Sequence, residues 1–93
     1  MAHGTTRGPV VSVLMVAHDA EGSVRRAVES VQNQSLRDLE LIVVDAGSTD
    51  ATARIVEAVA ERDLRVELVR ADACTRQEAL DVALERAGGR YVV

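Results

Sequence analysis

Two hydrophobic rhythms alternate along the chain. Val10 to Val16 (VVSVLMV) is a nearly unbroken apolar run rich in β-branched residues, the pattern of a strand buried on both faces. Asp19, Gly22 and Ser23 break it. Val24, Ala27, Val28 and Val31 then recur at helical spacing, which predicts a helix from about Ser23 to Asn33. Leu39 to Val44 (LELIVV) restores the strand pattern and ends abruptly at Asp45. A second helix is predicted from about Asp50 to Glu61, with Thr52, Ile55, Val56, Val59 and Ala60 on its inner face and Ser48 or Thr49 as its cap. Asp50 would offset the dipole of its first turn.

After a turn at Arg62 to Leu64, Arg65 to Arg70 (RVELVR) alternates as a third strand. Thr75-Arg76-Gln77-Glu78 has the spacing of a capping box, so a third helix opens there with Ala79, Leu80, Ala83, Leu84 and Ala87 as its buried stripe. Gly88-Gly89 ends it, and Arg90 to Val93 reads as the start of a fourth strand. The order is βαβαβαβ. Short turns between alternating strands and helices imply a Rossmann-like, doubly wound parallel sheet with helices on both faces. Residues 1–9 are read as a flexible tail and residues 10–93 as one partial domain, since 93 residues give no room for two.

Composition narrows the functions this sheet could serve. Hydrophobic residues make up 47% of the chain, enough for a packed core, yet it has a single Tyr and neither Phe nor Trp. Base stacking along aromatic platforms is therefore nearly absent from its means, and a net charge of −4 argues against nucleic acid as a partner. All 11 cations are Arg, which removes Schiff-base chemistry and the P-loop lysine. The one cysteine, Cys74, cannot form an internal disulfide, and no Cys/His cluster suggests zinc. Neither a signal peptide nor a transmembrane segment is legible, so the expected location is cytoplasmic, with the cytoplasmic face of a membrane as an option for a longer protein.

Ligands of doubly wound sheets sit outside the carboxyl ends of the strands, which directs attention to the residues just after Val16, Val44 and Val69. The segment after the first strand, Ala17-His18-Asp19-Ala20-Glu21-Gly22, lacks the closely spaced glycines of a dinucleotide fingerprint. His18 and Asp19 are placed to contact a ligand or simply to build the turn. After the second strand, Asp45-Ala46-Gly47-Ser48-Thr49-Asp50 combines an acid, a glycine and clustered hydroxyls at a helix start. Such a segment can hold a ribose through a carboxylate and a phosphate through backbone N–H groups, or it can merely cap the helix. Capping leaves Asp45 unexplained, because a carboxylate ending an apolar strand is costly unless solvated or paired. Arg70 and Arg76 flank the third strand end and could face a diphosphate or solvent. Cys74 has no base beside it in sequence, so a small half-buried residue is the simpler reading.

These motifs resemble the N-terminal half of glycosyltransferase family 2, which has the GT-A fold. VSVLMVAHD is similar to the family's opening VSVIIPxYN, AVESVQNQS resembles LxSVLxQT, LELIVVDAGSTDAT resembles EIIVVDDGSTDGT, and AGGRYV resembles AxGEYI. The resemblance spans Val10 to Val93 and is most specific in VVDAGSTD. It implies a donor-binding portion, for a nucleotide-diphosphate sugar, of an enzyme that transfers the sugar to an acceptor hydroxyl. By the resemblance, Ala17, His18 and Asp19 line the nucleobase and ribose pocket, Asp45 gives the nucleoside a hydrogen bond, and Gly47 and Ser48 complete the substrate-binding set.

The sequence also departs from the family pattern. Val16, His18 and Asp19 stand where the family has Pro, Tyr and Asn, and Ala46 replaces the second acid of the VVDD pair. Ala79 to Ala83 is the only counterpart of the family's ArNxG segment. The metal-binding DxD motif is absent from these residues, so no metal ligand and no catalytic residue is assigned among them. A divalent cation, Mn or Mg, is expected only for the full-length enzyme, with the catalytic groups beyond Val93, and the isolated piece is expected to be inactive. The sheet is read as truncated before the DxD strand, and its open edge would invite self-association. The alternative is a noncatalytic nucleotide-binding or interaction module derived from such an enzyme.

Overall fold

The computed structural model describes residues 11–34, 38–72, 74–89 and 91–92. Val10, the residue 1–9 tail, Ser35, Arg90 and Val93 of the sequence reading lie outside them. The elements follow the expected order: β1 (Val11–Ala17), α1 (Val24–Gln32), β2 (Leu39–Ala46), α2 (Thr52–Ala60), β3 (Val66–Ala71), α3 (Arg76–Arg86) and β4 (Tyr91–Val92). All pairings are parallel, and the strands lie side by side as β3-β2-β1-β4. The chain therefore builds outward from β1 to β3 and then returns to the other side of β1. That reversal beside β1 is where an open α/β sheet offers a crevice.

Alternation along the strands distributes their side chains between two apolar layers. Val13, Met15 and Ala17 of β1, Leu41 and Val43 of β2, and Val66 and Leu68 of β3 pack against α1 and α2, chiefly Val24, Val28, Val56 and Val59. Leu14 and Val16, with Ile42, Val44, Ala46, Val69 and Ala71, pack against α3 through Ala79 and Ala83. Helices thus cover both faces. β2 is central, and from Leu41 to Ala46 every residue is buried. β1 is less covered than its sequence implies. Val13 to Val16 are half-buried, because β4 pairs with β1 only at Val11 and Ser12 among the described residues.

Two helical expectations change. Neither Ser48 nor Thr49 caps α2. Ala51 occupies the cap position without a side-chain bond, and Asp50 just before it accepts from the Thr52 N–H at 2.9 Å and from the Thr52 hydroxyl. That hydroxyl is the main influence holding the Asp50 carboxyl below its usual value. In α3 the buried residues are Ala79 and Ala83, with Val82 and Ala87 beside them, whereas Leu84 is 49% exposed. Small residues let the helix approach the sheet closely, and Leu84 falls on the side turned away. The capping box of α3 forms as read: Thr75 Oγ1 accepts from the Glu78 N–H at 3.1 Å, and Glu78 Oε1 accepts from the Thr75 N–H at 2.8 Å.

The passage from α3 to β4 is fastened to the start of β1. Glu40 Oε2 accepts from the Ser12 hydroxyl at 2.6 Å and from the Gly88 N–H at 2.7 Å, and the Gly89 N–H donates to Ser12 Oγ at 2.8 Å. Ser12 is fully buried there. Only glycine fits at position 89, since a Cβ would stand 2.7 Å from both Ser12 N and Ser12 Oγ.

Candidate functional site

The site is built where β1 and β2 end together, with Ala17 opposite Asp45 in the register. The β1–α1 and β2–α2 turns that follow are laced to each other. The Asp19 N–H donates to Ser48 Oγ and the Thr49 N–H donates to Asp19 Oδ1, both at 2.8 Å. Next along the turn, the Ala20 N–H donates to Thr52 Oγ1 at 2.7 Å and the Glu21 N–H to Asp50 Oδ2 at 3.2 Å. Glu21 Oε1 reciprocates by accepting from the Ala51 N–H at 2.9 Å. The hydroxyls and acids that looked like ligand contacts or caps in sequence are therefore largely committed to one another. Backbone N–H groups at an incoming helix end need partners, and here the neighbouring turn supplies them.

Two residues turn the chain through left-handed geometry at this lattice. Gly47 has φ 74°, a conformation open to glycine. Asp19 has φ 46°, which a short polar side chain tolerates better than an apolar one does. The turn at Asp19 presents His18 at the surface. His18 Nδ1 donates to the Ala46 carbonyl oxygen at 2.8 Å, and its Nε2 lies 3.3 Å from Asp19 Oδ2. The imidazole is thereby pinned across the ends of both strands.

On the α3 side of these ends lies a cleft of about 500 Å³ lined by Val16, His18, Ala46, Cys74 and Arg76. Val16, His18 and Ala46 reach it by strand alternation, and Cys74 and Arg76 reach it from the β3–α3 turn. Of this lining, the sequence puts His18 in the substrate-binding set and leaves Arg76 open between a diphosphate and solvent, while Val16 and Ala46 are not singled out as contacts. The alternation signal was available for Val16 and Ala46, but what brings the β3–α3 turn over them is the tertiary path of α3. A larger groove of about 730 Å³ runs between α1 and α2, away from these strand ends, and carries the Asp63–Arg65 ion pair.

The remaining candidates separate. Ala17 is buried beneath α1 and α2, and Asp45 lies on the same face, 2% exposed, opposite Arg70 of β3. Asp45 Oδ1 has no hydrogen-bond partner among the described residues. An orphaned buried oxygen of this kind costs roughly 1–3 kcal/mol. Ser48 is half-buried and occupied by Asp19, and Arg70 is exposed. Among the described residues no group of three His, Cys, Asp or Glu side chains is placed to hold a metal ion. No helix of the described residues is long and apolar enough to cross a membrane.

An uncharacterized glycosyltransferase of Haemophilus influenzae is 34% identical over 87 residues, a match that covers 90% of this chain and 34% of that protein. Among solved structures, the mannosyltransferase PcManGT from Pyrobaculum calidifontis, in complex with GDP-Man and Mn2+, superposes with a TM-score of 0.75 at 28% identity, covering 94% of this chain and 27% of that one. S. aureus TarS superposes with a TM-score of 0.82 at 26% identity, covering 90% of this chain and 16% of that one. This chain thus spans about a third or less of the length of these relatives. Its sheet and helices are the Rossmann-like half of a GT-A fold. The Glycosyl transferase family 2 profile matches residues 12–93, and the chain belongs to that family.

Proposed function

We propose that these residues form the donor-binding part of a glycosyltransferase that moves a sugar from a nucleotide diphosphate to an acceptor hydroxyl. The observation that carries this reading is the cleft beside the reversal in strand order, walled by the ends of β1 and β2 and the entry to α3. Crevices at such reversals take nucleotides in open parallel sheets. The GDP-Man bound by the structurally similar mannosyltransferase supports a nucleotide-sugar donor here.

In this reading the pinned His18 and the turn at Ala17 and Asp19 border the nucleoside, while Gly47 and Ser48 hold the neighbouring turn in place. Asp45 accepts a donor hydroxyl at its free oxygen, an interaction that would relieve a desolvated, unpartnered carboxylate. Reaching it requires the laced turns above Asp45 to yield, because the residue is buried. Transfer itself breaks the bond between the anomeric carbon and the diphosphate oxygen and forms one to the acceptor oxygen, with the acceptor proton passing to a base. A divalent cation, as in the Mn2+ complex of the mannosyltransferase, would neutralise the departing diphosphate. The residues described here are assigned no part of that cation's binding.

Calorimetric titration with nucleoside diphosphates tests the reading. Saturable binding is expected, with about tenfold or greater weakening in Asp45→Asn, the size of losing one charge-assisted hydrogen bond. Binding that Asp45→Asn leaves untouched removes Asp45 from the site. A chain that binds no nucleoside diphosphate at all overturns the donor reading.

A further inference from the structure

On the side of the sheet away from β4 the outermost strand is β3, and its ladder with β2 fixes which of its backbone groups face outward. Leu41, opposite Val66 in the register, donates its N–H to the Arg65 carbonyl at 2.7 Å. In a parallel ladder the bonds of one residue straddle its partner, so Glu67 and Val69 turn their N–H and C=O groups toward β2. Leu68 and Arg70 turn theirs outward, with the Val66 C=O, and no strand lies beside them among the described residues. The Val66 N–H is taken by the Asp63 carbonyl at 3.0 Å.

Little blunts this edge. Its register with β2 runs unbroken from Val66 to Ala71, and it holds neither proline nor lysine, so the bulges and residues that commonly discourage edge pairing are missing from it. Both apolar layers stay open along it. Leu68, in the layer under α1 and α2, and Val69, in the α3 layer, are each only half-buried. Leu64, at the foot of the strand, is 99% exposed.

We propose that β3 pairs antiparallel with β3 of a second copy of this chain, about a two-fold axis at Leu68, so that two sheets join into one. A two-fold contact must be self-complementary, and the central registers differ in the charges they oppose. An axis at Glu67 sets two carboxylates directly against each other, and an axis at Val69 brings the two Arg70 side chains together on one diagonal; both are destabilising. An axis at Leu68 sets Leu68 against Leu68, Val66 against Arg70 and Glu67 against Val69. The Leu68 N–H and C=O then exchange bonds with their counterparts, and each Arg70 N–H meets the Val66 C=O of the other copy. The Arg70 stem falls beside the exposed Leu64 of the other copy. The two Glu67 side chains lie on a diagonal, each already offset by Arg86 of its own chain. This interface is independent of the donor-binding reading.

Sedimentation velocity from about 1 to about 500 μM, the range suited to an interface of one short strand per copy, is expected to show monomers giving way to dimers. Arg70→Pro removes an N–H that only the second copy uses, and proline is tolerated on an edge strand, so this variant should stay folded and lose the dimer. Arg70→Ala keeps that N–H and should still dimerise. Crosslinking in a Cys74→Ser background reads the register. Leu68→Cys should give a disulfide-linked dimer in oxidised glutathione, whereas Arg70→Cys, whose copies stand roughly 14 Å apart in this pairing, should not. Circular dichroism confirms that each variant is folded, and sedimentation of the unaltered chain stands without any variant. A chain that stays monomeric throughout overturns the proposal. So does a dimer that survives Arg70→Pro and gives no crosslink at Leu68→Cys, since its contact then lies on another surface.

Discussion

The Gly89 N–H and Ser12 Oγ meet at 2.8 Å across 77 positions of sequence, which ties the entry of β4 to the buried start of β1. An alanine at 89 would bring its Cβ within 2.7 Å of the Ser12 backbone nitrogen and 2.9 Å of Val11 C, atoms that cannot rotate away. Gly89→Ala is expected to cost on the order of 1–3 kcal/mol in urea unfolding, as overpacked sites do. Gly88→Ala, whose Cβ would find only Glu40 Oε2 at 3.8 Å, should be close to neutral. Equal effects of the two would show that the close approach to β1 is not what fixes glycine at 89.

Asp19 combines a left-handed backbone with a side chain that accepts from the Thr49 N–H. Asp19→Asn keeps an acceptor oxygen and the same conformational tolerance, so its melting temperature should stay near that of the unaltered chain. Asp19→Ala forfeits both and is expected to lose about 1–2 kcal/mol. A full loss of stability in Asp19→Asn would mean that the charge, and not the turn geometry, matters.

Asp63 accepts from the Arg65 guanidinium at 3.0 Å and 3.1 Å, from the Arg65 N–H at 3.0 Å and from the Gln32 amide at 3.1 Å. The Arg65 side chain is the largest influence holding its carboxyl far below the ordinary carboxylate range. A carboxyl depressed on folding adds stability that is complete above its unfolded value of about 4 and is lost as pH falls toward the folded one. Asp63→Asn should therefore melt lower at pH 7, with the gap narrowing from about pH 4 downward. A gap that stays constant to pH 2 would sink this assignment.

Thr75 and Glu78 close the start of α3 reciprocally, so Thr75→Ala should cost about 1 kcal/mol in thermal unfolding. Glu78→Ala removes the other half and should cost less than Thr75→Ala, as the hydroxyl bond to the N3 amide is the principal cap.

Periodicity sufficed for the sheet because each signal was local and redundant. The apolar run at Leu39 to Val44 and the Val24, Val28, Val31 spacing each point to one element whatever surrounds them. Burial was less legible where it depends on neighbours: Leu84 has the hydropathy of a core residue, yet Ala79 and Ala83 set the approach of α3 and leave it outside. The capping expectation failed in a similar way at Ser48 and Thr49. Their partner Asp19 is 29 and 30 positions away, so sequence offered helix capping as the only local use for their polar groups. The strand-end rule brought Arg76 into view, but its place with Cys74 over β1 and β2 comes from the path of the chain into α3, which no short-range pattern carries.

The lacing of residues 19–21 to residues 48–52 has a further effect on motion. Each of the Asp19, Ala20, Glu21, Thr49 and Ala51 amides is bonded to a side chain of the opposite turn. Neither turn can open and leave the other closed, so amide hydrogen exchange at these positions should proceed as one cooperative unit. A substitution made in either turn would then be felt at the exchange rates of both, and the crevice they border would open or hold as a single body.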